Sequence, residues 1–255
     1  MRGPALALAL LALAGCGQSG KDPAPVSTAS AGAELVTLRA VDGVKVFGAF
    51  VPARDKPRAL VLLFHQTGSS KTEYADIQLR LANAGYSSLA IDQRSGGGMY
   101  GPNETVAELG HEGSYLEAKR DLEAALAWAQ GKRLPVVLWG SSYSASLVFL
   151  VAAEHAGKVA ALLAFSPDEY FDGRPPVKPA AAKLAIPVFV TSAEDPKEIA
   201  AARALLDAVP AKAKVQFVPA KGGVHGSSTL RSDRNPQGAG LVWEAVLEFL
   251  KKAVE

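Results

Sequence analysis

Residues 134–146 read Leu-Pro-Val-Val-Leu-Trp-Gly-Ser-Ser-Tyr-Ser-Ala-Ser. The run 134–139 is continuously apolar, as in a strand buried on both faces. A helix is expected from Ser142 toward Gly157. Between them lie only small residues, Gly140, Ser141 and Ser142, with Ser144 two positions further on. Small side chains on either side of Ser142 let a strand and a helix approach closely. The tight turn then lifts the Ser142 hydroxyl to the edge of a sheet. A simpler reading of the same residues is a Gly-Ser turn in which Ser142 or Ser141 caps the helix.

Outward from this stretch the chain alternates strands and helices. Residues 59–64 (Ala-Leu-Val-Leu-Leu-Phe) form a second continuous apolar run. Ser70 and Glu73 have the spacing of a capping box for a helix through Tyr74, Ile77 and Leu81, which Gly85 would end. Strands are expected at 86–92, 159–165, 186–191 and 214–218. Helices are expected at 117–130, at 196–209, and at the C-terminus, where Val242, Val246, Phe249 and Leu250 repeat at helical spacing. Residues 95–113 read as a glycine-rich loop with Met99, Tyr100 and His111 as candidates to line a pocket. Residues 168–185, with Pro175, Pro176 and Pro179, read as an extended surface segment too short for a large cap. Two alternating stretches flank Asp42-Gly43, a hairpin signal. The expected architecture is α/β: a mostly parallel sheet of about eight strands with an N-terminal antiparallel hairpin, helices on both faces and a minimal cap.

Gly140-Ser141-Ser142-Tyr143-Ser144 resembles the G-x-S-x-G nucleophile elbow of the α/β-hydrolases, with Ser144 in place of the last glycine. The resemblance covers nearly all of residues 34–255 and is nearest to dienelactone hydrolase-type enzymes and small serine esterases. In that superfamily the chain order is serine, acid, histidine. His225 lies in the glycine-rich loop 220–226 after the last expected strand, where the family carries its base. The acid follows the strand 186–191, at the carboxyl edge of the sheet. Asp195 is the first candidate there and Glu194 the second, with Asp168 an outside one. Asp195 also precedes Pro196 and has Glu198 three residues on, which marks it as a helix cap. The resemblance assigns the oxyanion-binding N–H groups to Tyr143 and to Thr67, in the loop His65-Gln66-Thr67-Gly68. His65 is expected to bond backbone, and Asp92 and Arg94 to hold the neighbouring loop.

Among 255 residues, 49% are hydrophobic and 20% charged, with a net charge of +2. There is no field or basic-aromatic patch for nucleic acid, which is set aside as a partner. Cys16 is the sole cysteine, and His65, His111, His155 and His225 are scattered without metal-ligand spacing, so neither a metal nor another cofactor is expected. Arg2 precedes the apolar run 5–14, too short for a membrane span of about 20 residues and suited to a signal-peptide core. Leu13-Ala14-Gly15-Cys16 resembles a bacterial lipobox. The expected organisation is a lipoprotein signal peptide at 1–15, a flexible Gly/Ser/Ala/Pro tether at 16–32 beginning at a lipidated Cys16, and an α/β-hydrolase domain at 33–255. The protein would then be exported across the inner membrane and lipid-anchored in the cell envelope.

Taken together, the resemblance implies a serine hydrolase that cleaves small carboxylic esters through an acyl-enzyme, with Ser142, Asp195 and His225 as its triad. A thioesterase or amidase on the same residues is a second reading. A non-catalytic surface binding module of the same fold is a third.

Overall fold

The computed structural model describes Met1, residues 32–171 and residues 176–254. The expected signal peptide, Cys16 and nearly all of the tether lie outside the described residues. Among the described residues eight strands form one sheet: β1 (Glu34–Arg39), β2 (Lys45–Val51), β3 (Ala59–Phe64), β4 (Tyr86–Ile91), β5 (Val136–Ser141), β6 (Ala161–Phe165), β7 (Val188–Thr191) and β8 (Lys214–Phe217). Their order is β1-β2-β4-β3-β5-β6-β7-β8. β1 pairs with β2, and β2 with β4, antiparallel; every other pairing is parallel. Gly43, at φ +87, makes the hairpin turn that Asp42-Gly43 signalled.

Among the described residues seven helices surround the sheet: α1 (Ala75–Asn83), α2 (Glu104–Leu109), α3 (Tyr115–Gln130), α4 (Tyr143–Glu154), α5 (Val177–Ala181), which packs against α4 and α6, α6 (Pro196–Ala208) and α7 (Ala239–Val254). β3 shows why its apolar run is unbroken. Leu60, Leu62 and Phe64 enter a core with α3, α4, α5 and α6, whereas Ala59, Val61 and Leu63 enter a core with α1 and α7. A strand covered on both sides has no solvent face on which to carry polar residues.

Three expectations change in the structure. Residues 95–113 are not all loop, because Asn103 accepts from the Val106 N–H (2.8 Å) and starts α2, which Gly110 ends at φ +81. Residues 168–185 are not wholly extended, since α5 lies within them. Ser70 and Glu73 do not form a capping box. Ser70 caps a 3-10 turn, Lys71–Tyr74, while the Glu73 carboxylate turns inward and is fully buried. The nearby box that does form is Ser114 with Glu117, at the start of α3.

The parallel strands align their C-terminal ends along one rim. β3 sits between β4 and β5, so the chain changes direction across the sheet at β3. The loops after β3 and β5 therefore emerge side by side at the crevice where α/β sheets place their sites.

Candidate active site

Ser142 stands between β5 and α4 at φ 59, ψ −128, a conformation that costs a non-glycine residue energy and is held by its surroundings. Its N–H donates to the Phe165 carbonyl at 2.8 Å. Gly140 permits the turn: a Cβ there would lie 2.5 Å from the Ser144 carbonyl carbon and 2.6 Å from Ala145 Cα. Ser142 occupies the position before α4, but its hydroxyl does not cap the helix. It lies 2.8 Å from His225 Nε2.

His225 Nδ1 lies 2.8 Å from Glu198 Oε1. Glu198 is thus the carboxylate that meets the imidazole, and Asp195 is not. Asp195 is exposed and accepts from the Lys197 N–H at 2.7 Å, with Pro196 opening α6 behind it. The cap reading of Asp195 therefore describes its position. Glu194 is also exposed, and its backbone N–H donates to the Gly223 carbonyl. Asp168 is exposed and accepts from the Glu169 N–H. The signal that marked Asp195, a carboxylate three residues further on, pointed at the residue that reaches His225. Glu198 lies one helical turn into α6, where the Ala193 N–H also donates to its Oε2 at 3.1 Å. Burial raises the Glu198 pKa. The bonds from His225, Ser166 and the Ala193 N–H outweigh this and hold it at about 2.

Several hydrogen bonds tie the loop after β3 to its surroundings. Tyr74 donates its phenolic O–H to the Phe64 carbonyl (2.7 Å), and Ser144 its hydroxyl to the His65 carbonyl (2.6 Å). The Gln66 N–H donates to Glu73 Oε2 (3.1 Å). His65 is fully buried. Its Nε2 accepts from the Gln93 N–H at 2.9 Å, so its proton is on Nδ1, facing the Gln66 carbonyl at 2.8 Å. Burial pushes its pKa down to about 4. This is the structural histidine expected from its position. Among the described residues the Thr67 N–H has no partner, and the Thr67 hydroxyl accepts from Tyr115 at 2.8 Å. Tyr143 opens α4, so its N–H has no carbonyl one turn earlier.

Ser144, the departure from the G-x-S-x-G pattern, also accepts from Gln93 Nε2 at 2.7 Å. Its hydroxyl couples the elbow to the loops after β3 and β4, which a glycine could not do. Around the serine, Tyr115 stacks on Tyr143 with ring centroids 4.3 Å apart. Tyr100 shares a 2.7 Å hydrogen bond with Ser228, and Met99 is exposed beside Gln66. Tyr170 donates its phenolic O–H to the Ser166 carbonyl at 3.0 Å, and burial raises this phenol's pKa to about 12. His111 is exposed, with its ring nitrogen on the Glu112 carbonyl. Asp92 bonds Lys71 and the Glu104 N–H, and Arg94 bonds Asp42 and Asp121, so both hold loops as expected. Among the described residues no three His, Cys, Asp or Glu side chains form a metal-holding group.

The strand order, the helices on both faces and the strained serine between β5 and α4 define an α/β-hydrolase fold. Residues 55–198, more than half of the chain, match the family described as serine aminopeptidase, S33 (Hydrolase_4). The chain belongs to this family and is a serine hydrolase. Similar solved structures include dienelactone hydrolase from Anabaena variabilis (19% identity, covering 88% of this chain and 98% of that one, TM-score 0.68). A thermostable carboxyl esterase from Bacillus coagulans is 13% identical, with 90% and 100% covered and a TM-score of 0.68. An esterase from Pyrococcus furiosus is 17% identical, with 88% and 93% covered and a TM-score of 0.66. At these identities the likeness is one of fold. No curated protein matches the sequence.

Proposed function

We propose that this protein is an esterase in which Ser142 is the nucleophile, His225 the general base and Glu198 the acid of the triad. The supporting observation is the pair of 2.8 Å contacts that run from Ser142 Oγ through both imidazole nitrogens to Glu198. With its proton on Nδ1, donated to Glu198, the imidazole accepts the Ser142 proton at Nε2 as Oγ attacks the ester carbonyl carbon. The same proton then passes to the leaving alkoxide, leaving an acyl-Ser142. Water, deprotonated by His225, hydrolyses that acyl-enzyme and returns the proton to Ser142. Glu198, ionised well below neutral pH, stabilises the imidazolium in both steps. The N–H groups of Tyr143 and Thr67 receive the oxyanion. The short connection between β6 and β7 favours small acyl groups.

A fluorophosphonate probe tests the assignment. The purified protein should be labelled at Ser142, and His225→Ala should abolish labelling while the protein stays folded. A folded wild-type protein that takes no label would instead be a binding module. Hydrolysis of p-nitrophenyl esters of rising chain length, set beside thioesters and aminoacyl p-nitroanilides, reads bond and acyl preference. Faster turnover of the anilides than of short esters would overturn the ester reading in favour of the activity in the family's name.

The sequence around Cys16 supports export and lipid anchoring in the cell envelope. Among the described residues no helix is long and apolar enough to cross a membrane. Cys16→Ser should move the protein from the membrane to the soluble fraction, and unchanged retention would end that reading.

A further inference from the structure

Three carboxylates among the described residues are fully buried: Glu73, Asp92 and Asp121. Asp92 faces Lys71 at 2.6 Å, and Asp121 faces Arg94 at 2.7 Å. Glu73 has no cation within ion-pairing distance among the described residues. Its oxygens take two neutral donors instead, the Gln66 N–H (3.1 Å) and the Ser141 hydroxyl (3.0 Å). Ser141 Oγ in turn accepts from the Ser227 N–H at 2.9 Å. A buried carboxylate with only neutral partners is costly, and burial pushes this carboxyl up from its ordinary range. What the arrangement secures is a junction. One side chain joins the loop after β3, the residue before the nucleophile, and the segment two residues beyond His225.

We infer that Glu73 is a positioning residue for the oxyanion-binding loop, acting through the Gln66 N–H. The inference rests on the esterase reading above. Glu73 on the Gln66 N–H and the Ser144 hydroxyl on the His65 carbonyl hold the two sides of one peptide, and the Tyr74 hydroxyl holds the Phe64 carbonyl before it. The Gln66 carbonyl, which shares the next peptide with the Thr67 N–H, accepts from His65 Nδ1 and the Ser69 N–H. Thr67, next along, is left with its N–H unpartnered among the described residues, at the rim beside the elbow. Donors preset in this way need no reorganisation when charge develops on the substrate oxygen. Without Glu73 the Gln66 N–H loses its acceptor and the loop its preset orientation. Transition-state binding should then suffer more than substrate binding.

The test compares Glu73→Leu, similar in size but without acceptors, with Glu73→Gln, whose amide oxygen can still accept from Gln66. Each is assayed with p-nitrophenyl acetate and with a boronic acid, whose tetrahedral serine adduct puts an oxygen in the oxyanion position. Glu73→Leu should lower kcat about 30-fold or more, with KM within about three-fold, and weaken boronate binding by a similar factor. Glu73→Gln should recover most of both. A folded Leu variant with near wild-type kcat, or a Gln variant as impaired as the Leu one, overturns the role. So does a loss confined to KM. If Glu73→Leu does not fold, Glu73→Ala takes its place, and failure of both to fold makes Glu73 a folding residue and ends the assignment. Wild-type protein that neither hydrolyses esters nor takes the phosphonate label would instead sink the esterase reading itself.

Discussion

Glu198 and Asp195 lie one helical turn apart, and their surroundings divide the labour between them. Asp195 is exposed and bonded to the second N–H of α6, so Asp195→Ala should cost about 1 kcal/mol of stability and leave kcat within a factor of two. Glu198→Gln keeps the shape but removes the charge that balances the imidazolium. If Glu198 is the triad acid, as proposed, kcat should fall roughly 10³-fold or more. Ester assays and urea unfolding of the two variants would separate cap from acid, and the reverse pattern would return the acid role to Asp195. The same residue sets a pH dependence. Its pKa lies at about 2 in the folded protein against an ordinary value of 4.5. A depressed carboxylate pKa contributes stability that is complete above the unfolded value and lost as pH falls through the folded one. The stability difference between wild type and Glu198→Gln should therefore be flat above pH ~5 and shrink between pH ~4.5 and ~2. A difference that stays flat throughout that window would contradict the depressed pKa.

The β5–α4 turn was legible as an element because its requirement is steric. A Cβ at Gly140 meets the backbone of Ser144 and Ala145, which cannot move without opening the turn. Gly140→Ala should give insoluble protein or a folded one lacking phosphonate labelling. A folded, fully active variant would show that the turn tolerates the side chain. α2 was illegible for the opposite reason. Six residues with little apolar periodicity are held by the Asn103 cap, by Gly110, and by the Asp92 carboxylate on the Glu104 N–H. The caps are local, but they flank too short a stretch to mark a helix, and the contact from Asp92, just past β4, is not in the local pattern at all. Glu73 was misread in the same way: its spacing from Ser70 is that of a capping box, yet its carboxylate turns into the interior and accepts from the Gln66 N–H.

On the scale of the whole molecule, Arg94 joins the hairpin to the rest of the sheet. Its guanidinium bonds Asp42 in the β1–β2 turn and the buried Asp121 of α3. These residues stand 52 and 27 positions away in sequence. Arg94→Ala would leave Asp121 buried without its cation, which should cost about 3–5 kcal/mol, read as a lower urea midpoint. A loss below ~1 kcal/mol would mean that water or another donor replaces the guanidinium.

By itself the sequence determined the alternation of strands and helices, the two-sided burial of β3 and β5, the serine at the turn and the histidine after the last strand. Each of these rests on periodicity, steric size or position relative to an element, and such properties are local. Tertiary structure alone decided which carboxylate meets His225, where Glu73 points and what Ser144 does in place of glycine. Those are hydrogen bonds between segments far apart in the chain, formed only when the rim of the sheet brings them within three ångströms.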